Sequence, residues 1–289
     1  MKFRRFLYGL LLTLQAGLVV TGGAVRLTGS GLGCPTWPEC TPGSYTPVPH
    51  QAEGVLNSWI EFGNRLLTFA LFFAAIAVVI HVLKTGRRDL RLLALGQVLG
   101  ILGQGVLGGI TVLTDLHPLP VAGHLLLSML LIAAAASLYQ RRNETFARMI
   151  ISDSLTRNLA RAHISLTFVV LVLGTLVTGS GPHAGDEQAQ RFGFDIRTMA
   201  WLHADAVIAL LGLTLALYIA ARANREYLRS IRTFTLIALA QGGIGYLQYF
   251  LGVPELLVAA HLLGATLVWI SAWRVRLAIN YSPSAKSDH

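Results

Sequence analysis

Eight apolar runs punctuate this chain, near 6–25, 59–83, 92–113, 119–139, 162–180, 199–221, 233–251 and 255–273. Each approaches the roughly 20 residues that carry an α-helix across about 30 Å of hydrocarbon. In lipid, backbone N–H and C=O groups must be satisfied inside the segment or in a closed barrel. These runs are rich in Leu, Ala, Val and Gly and lack the period-two alternation of barrel strands. The expectation is an all-α integral membrane protein of eight transmembrane helices. Composition agrees, with 13% charged residues against roughly 25% in a soluble domain. The first run follows MKFRR, but it is long for a secretion signal and no small-residue cleavage site stands out after it, so it reads as a retained helix.

A net charge of +9 could signal nucleic-acid binding, but its distribution excludes that class. Most basic residues fall in alternate connections: Lys2, Arg4 and Arg5; Lys84, Arg87, Arg88 and Arg91; Arg141, Arg142, Arg148, Arg157 and Arg161; Arg222, Arg225, Arg229 and Arg232; and Arg274, Arg276 and Lys286. The intervening connections hold only Arg26, Arg191 and Arg197. By the positive-inside rule the chain is a multi-pass plasma-membrane protein with both termini cytoplasmic. Cys34 and Cys40, the only two cysteines, then lie on the oxidising outer face, where a disulfide is expected and two free thiols are the alternative. Their spacing is not that of a haem attachment motif.

The chain also repeats itself. GQGVLGGITVLTDLHPLPVAGHLLL at 103–127 aligns without a gap on AQGGIGYLQYFLGVPELLVAAHLLG at 240–264, so that Gln104 meets Gln241 and His124 meets His261. A weaker echo links VVTGG at 19–23 with LVTGS at 176–180. Four helices per copy is an even number, so both copies share one orientation, and the repeat is parallel about a pseudo-two-fold axis along the membrane normal. The expected organisation is an N-terminal four-helix bundle over 1–140 with an outer disulfide loop at 26–57, a cytoplasmic linker at 141–161, a C-terminal four-helix bundle over 162–276 and a cytoplasmic tail at 277–289.

His124, His203 and His261 begin helices four, six and eight. All three therefore lie at one depth toward the outer face. Neutral imidazole in an apolar bundle suits an axial position on haem iron. His203 and His261 can clamp one iron from both sides, an arrangement fitted to electron transfer. In the first copy the position matching His203 is Asn64, in EFGNR. An amide is a poor iron ligand, so a haem there is held by His124 and open on its other side. Glu61, three residues before Asn64 on the same side of the helix, is the candidate catalytic carboxyl, and Arg65 is a candidate partner for a haem propionate. The competing view is a plain Glu61–Arg65 pair at i, i+4. His50, His81, His117, His163, His183 and His289 read as interfacial or loop residues.

These features resemble the haem A synthase family. Eight helices in a four-plus-four repeat, the outer stretch GGAVRLTGSGLGCPTWPEC, the Glu61 helix and the three histidines carry the likeness over nearly the whole chain. The resemblance implies an oxidoreductase of haem A biosynthesis that converts the ring-position-eight methyl of haem O to a formyl group for cytochrome c oxidase assembly. It implies that His203 and His261 ligate the iron of a haem b, and that His124 and Glu61 serve the substrate haem O, with Asn64 and Arg65 beside it. It admits a membrane complex with the haem O synthase and a homo-oligomer, and leaves the electron donor open. This chain departs from the family's Glu-x-x-His-Arg pattern at Asn64. Two rival readings share part of this footing: a di-haem b-type membrane cytochrome that only transfers electrons, and a transporter built from parallel repeats.

Overall fold

The structure is a computed structural model that describes residues 2–143, 146–147, 154–222, 225–280 and 282–283. Arg148, Lys286 and His289 lie outside the described residues. Among those residues the chain forms α1 (Lys2–Leu27), α2 (Val55–Lys84), α3 (Arg91–Leu113), α4 (Pro118–Gln140), α5 (Ser154–Ser180), α6 (Ile196–Ala220), α7 (Arg225–Phe250) and α8 (Glu255–Asn280). The only strands among them are two-residue segments, β1 (Phe146–Ala147) and β2 (Ser282–Pro283), paired antiparallel. Every apolar run thus becomes a helix, but three helices extend well past their apolar runs. α5 starts well inside the expected 141–161 linker, α7 starts at Arg225, and α8 continues past 276.

Seven of the helices are long and apolar enough to cross a membrane, and the chain is a multi-pass membrane protein. The eighth, α7, is as long as the others but is diluted by Gln241, Tyr246, Gln248 and Tyr249. Large side chains such as Phe69, Leu92, Leu99, Leu215 and Leu236 stay exposed around the bundle. In water that would be a defect, whereas lipid tails are as apolar as the side chains they meet.

Helices α1 to α4 close a ring, α1 on α2, α2 on α3, α3 on α4 and α4 back on α1; α5 to α8 do the same. Contacts between the rings run through α1, α4, α5 and α8. Small residues at Ala133 and Ala136 of α4 and Ala272 of α8 are buried, which lets helices approach closely. Two indoles fasten this junction: Trp269 Nε1 donates to the Met129 carbonyl at 2.6 Å and Trp273 Nε1 to Ser137 Oγ at 2.7 Å.

Helix ends are set by local chemistry. α4 opens with Pro118, whose missing N–H costs nothing at a first turn, behind His117, whose Nδ1 accepts from the Leu119 amide at 3.3 Å. α6 opens on Asp195, whose carboxylate accepts from the Thr198 amide at 2.8 Å and its hydroxyl at 2.7 Å. Those bonds hold the Asp195 carboxyl below its usual range, the side-chain bond contributing most. α2 ends where Gly86 takes φ 67°, the left-handed turn that glycine adopts without strain. Beyond it Asp89 pairs with Arg87 at 2.8 Å and Arg141 at 2.9 Å, tying the α2–α3 turn to the end of α4.

Candidate functional site

The candidate residues gather at the end of the bundle that carries the disulfide loop. On α6, His203 turns its Nδ1 to the Val170 carbonyl of α5 at 3.1 Å. Its ring lies over Gly174, where a Cβ would meet Cε1 at 3.4 Å. On α8, His261 lies against Gly245 of α7 (a Cβ would meet Cε1 at 3.1 Å) and its carbonyl accepts from Gln241 Nε2 at 2.7 Å. The two rings face each other with centroids 6.5 Å apart and planes at 62°.

That spacing can be tested against a ligand. An imidazole nitrogen binds a transition metal at about 2 Å and the ring adds roughly 1 Å more, so two rings gripping one ion have centroids about 6 Å apart. His203 Nδ1 is already tied to a carbonyl, as the non-ligating nitrogen of a metal-bound histidine usually is. His261 Nδ1 is buried without a partner, an unusual state for a buried polar atom. Among the described residues no group of three His, Cys, Asp or Glu could hold a metal ion. Two opposed imidazoles therefore suit an iron whose other positions are filled by a porphyrin, and the residues fit a haem.

The first ring repeats part of this. His124 on α4 packs on Gly108 of α3, with Nε2 3.1 Å from a Cβ placed there, and its carbonyl accepts from Gln104 Nε2 at 3.0 Å. Gln104 also donates to Ser128 Oγ at 2.7 Å. The glutamine-to-histidine clasp is thus the same in both aligned segments. The position that matches His203 differs: Asn64 is bonded through Oδ1 to Thr21 Oγ1 at 2.7 Å, and a Cβ at Gly17, the counterpart of Gly174, would meet nothing within 4 Å.

Glu61 and Arg65 sit where the disulfide loop docks on α2. Cys34 and Cys40 are bonded to each other, so the free-thiol alternative falls. Glu61 is buried and accepts from the Cys34 amide through Oε2 at 2.7 Å, while Oε1 takes Arg65 Nη2 at 2.6 Å. Arg65 also donates to the carbonyls of Cys34 at 2.9 Å, Thr36 at 3.1 Å and Glu39 at 3.2 Å. The i, i+4 pair exists, but as a clasp that fastens the loop to α2. Most of the guanidinium hydrogens are committed to protein acceptors. The same loop lays Trp37 over Gly109, beside the glycine that seats His124.

Three further histidines make contacts of their own, with His163 buried in the core and not interfacial. His81 meets Tyr8 Oη at 3.2 Å, and His163 is buried edge-on to Phe234 with ring centroids 4.5 Å apart. His183 bonds the Val253 carbonyl through Nε2 at 3.0 Å, and its own carbonyl accepts from Arg26 Nε. Sequence reasoning missed Thr21, Gly17 and Trp37, and also a buried chain in which Gln15 Nε2 donates to Gln97 Oε1 at 2.8 Å and Gln97 Nε2 to the Leu131 carbonyl at 2.8 Å. The TGG/TGS echo held the signal for Thr21, and its register carried back four residues pairs Gly17 with Gly174; lone glutamines in apolar runs gave the signal for the other.

Comparison with known proteins adds the family. Residues 4–273 match the profile described as cytochrome oxidase assembly protein. A heme A synthase of Shewanella oneidensis is 30% identical over 56% of this chain and 51% of its own length, so this chain spans about half of that relative. A heme A synthase of Azorhizobium caulinodans is 29% identical over 88% of each chain, and one of Methylobacterium sp. is 28% identical over 90% of this chain and 85% of its own.

Proposed function

The chain belongs to the cytochrome oxidase assembly protein family, and from that premise we propose that it is a haem A synthase. It oxidises the ring-position-eight methyl of haem O to a formyl group. The observation that carries this reading is the pairing of two unequal sites: opposed His203 and His261 with centroids 6.5 Å apart, and a first ring that repeats the seat of His261 at His124 but carries Asn64, tied to Thr21, at the position matching His203. In this reading α1–α4 and α5–α8 are two parallel copies about a pseudo-two-fold axis. The inter-ring contacts of α1 with α8 and α4 with α5, around α4 on α8, support that symmetry.

His203 and His261 hold a haem b, which when bound supplies one-electron transfer. His124 holds the substrate iron from one side. Glu61 is the carboxyl that carries a proton for the methyl oxidation, and its bond to the Cys34 amide makes the disulfide loop the frame for that group. Arg65 orients Glu61 through Nε and Nη2 at 3.1 and 2.6 Å, and with Nη1 already donating to the Glu39 carbonyl it has at most one N–H left to offer a propionate. The sites lie on the extracytoplasmic side with both termini cytoplasmic, as the Lys/Arg distribution supports. A membrane complex with haem O synthase suits a farnesylated substrate that leaves lipid reluctantly.

The test is incubation of the purified full-length protein with haem O and a reductant in air, followed by chromatography of the extracted pigments. Haem A and a hydroxylated precursor are expected. Recovery of unchanged haem O, with the His203–His261 haem still reducible, would leave an electron carrier and overturn the assignment.

A further inference from the structure

We propose that Thr21 and Gly17 keep one face of the first-ring site open, and that this face binds small nitrogen or oxygen donors of imidazole size. The inference rests on the reading of that ring as the haem O site. It follows from how two matched positions are treated. His203 reaches down α5, its ring on Gly174 and its Nδ1 on the Val170 carbonyl at 3.1 Å. Asn64 goes the other way. Its Oδ1 is taken by Thr21 Oγ1 at 2.7 Å and its Nδ2 lies 3.9 Å from a Cβ at Gly22, one helical turn nearer the disulfide end than Gly17.

The carboxamide is thereby tethered away from the surface that an imidazole covers in the other ring. A Cβ at Gly17 meets nothing within 4 Å, whereas one at Gly174 meets His203 at 3.4 Å. Gly17 thus leaves bare the place that the His203 ring covers at Gly174, and a ligand of imidazole shape suits a surface left bare in that way. Thr21 acts through Asn64 and is a positioning residue; Gly17 forms the floor.

The experiment is an imidazole titration of the full-length protein loaded with haem O, followed by visible absorption and electron paramagnetic resonance. The His203–His261 haem serves as an internal folding control. In the wild type the first-ring iron passes from high to low spin on adding imidazole, and the second-ring iron does not respond. Gly17→Leu fills the floor and weakens imidazole binding by about tenfold or more. Thr21→Val frees the carboxamide to crowd the face and weakens binding by about threefold, and Thr21→Ser restores it. Imidazole affinity unchanged in both Gly17→Leu and Thr21→Val, with haem O bound and the control signal intact, overturns the inference alone. Failure of haem O to bind the first ring at all overturns the parent reading and this inference with it.

Discussion

The two rings share a plan in the helices that carry the aligned histidines and differ in what α2 and α6 bring to them. Gln104 and Gln241 clasp the carbonyls of His124 and His261 in the same way, and Gly108 and Gly245 seat the two imidazoles. Across the bundle the likeness ends. Where the second ring has His203, the first has Asn64 tied to Thr21. Where the first has Glu61 and Arg65, matched positions in the second are Ala200 and Ala204. The long disulfide loop belongs to the first ring, and it is fastened there by this ion pair. The lesson is that two rings with the same helix plan come to differ through a few side chains at one end of α2 and α6.

The strongest way to break the contrast is to exchange the matched residues. His203→Asn should open the second-ring iron, turning its haem from low to high spin and abolishing electron delivery, so haem A formation should fall by about a hundredfold or more. Absorption spectra and pigment chromatography of the variant check this. Next comes the clasp: Glu61→Gln keeps the shape but removes the charge facing Arg65. Leaving that half-buried cation without its counter-charge costs about 1–2 kcal/mol, between the exposed and fully buried cases, and turnover should drop while haem b content stays near wild type. Thermal unfolding and turnover measured on one preparation separate the two effects.

A third change concerns the buried glutamine chain, which the second ring lacks because Phe234 stands where the first has Gln97. Gln97→Leu leaves Gln15 Nε2 and the Leu131 carbonyl without their partner, a loss of about 1–2 kcal/mol visible as a lowered unfolding midpoint. The smallest effect is expected at the start of α6. There Asp195 caps the helix, whereas α2 begins at Gly54 without a side-chain cap. The Asp195 carboxyl titrates below its ordinary range in the folded chain, chiefly because it accepts from Thr198. Its contribution is complete above the unfolded value and is lost as pH falls through the lowered folded one. Asp195→Ala should therefore flatten the acid limb of a melting-temperature profile and leave the neutral region slightly lower.

Much of this was legible in the sequence because lipid is a strict solvent. A helix must run about 20 residues without an unpaired backbone group, so every apolar run in the sequence became a helix. The overshoot of α5 and α7 was not legible in hydropathy, since those first turns lie outside the apolar runs and are polar. His124, His203 and His261 stood out because two of them aligned in the repeat. The role of Glu61 and Arg65 as a clasp on the disulfide loop depends on where Cys34, Thr36 and Glu39 return in space, which no spacing along the chain encodes. Thr21 stood in the TGG/TGS echo, but its bond to Asn64, a residue distant in sequence, was not legible there.

The most direct test is the spin state of the two irons in wild-type protein carrying haem b and haem O. Electron paramagnetic resonance of the oxidised sample should give one low-spin signal, lost in His203→Asn, and one high-spin signal, converted to low spin in Asn64→His. Two low-spin signals in the wild type, insensitive to substitution at Asn64, would contradict the account.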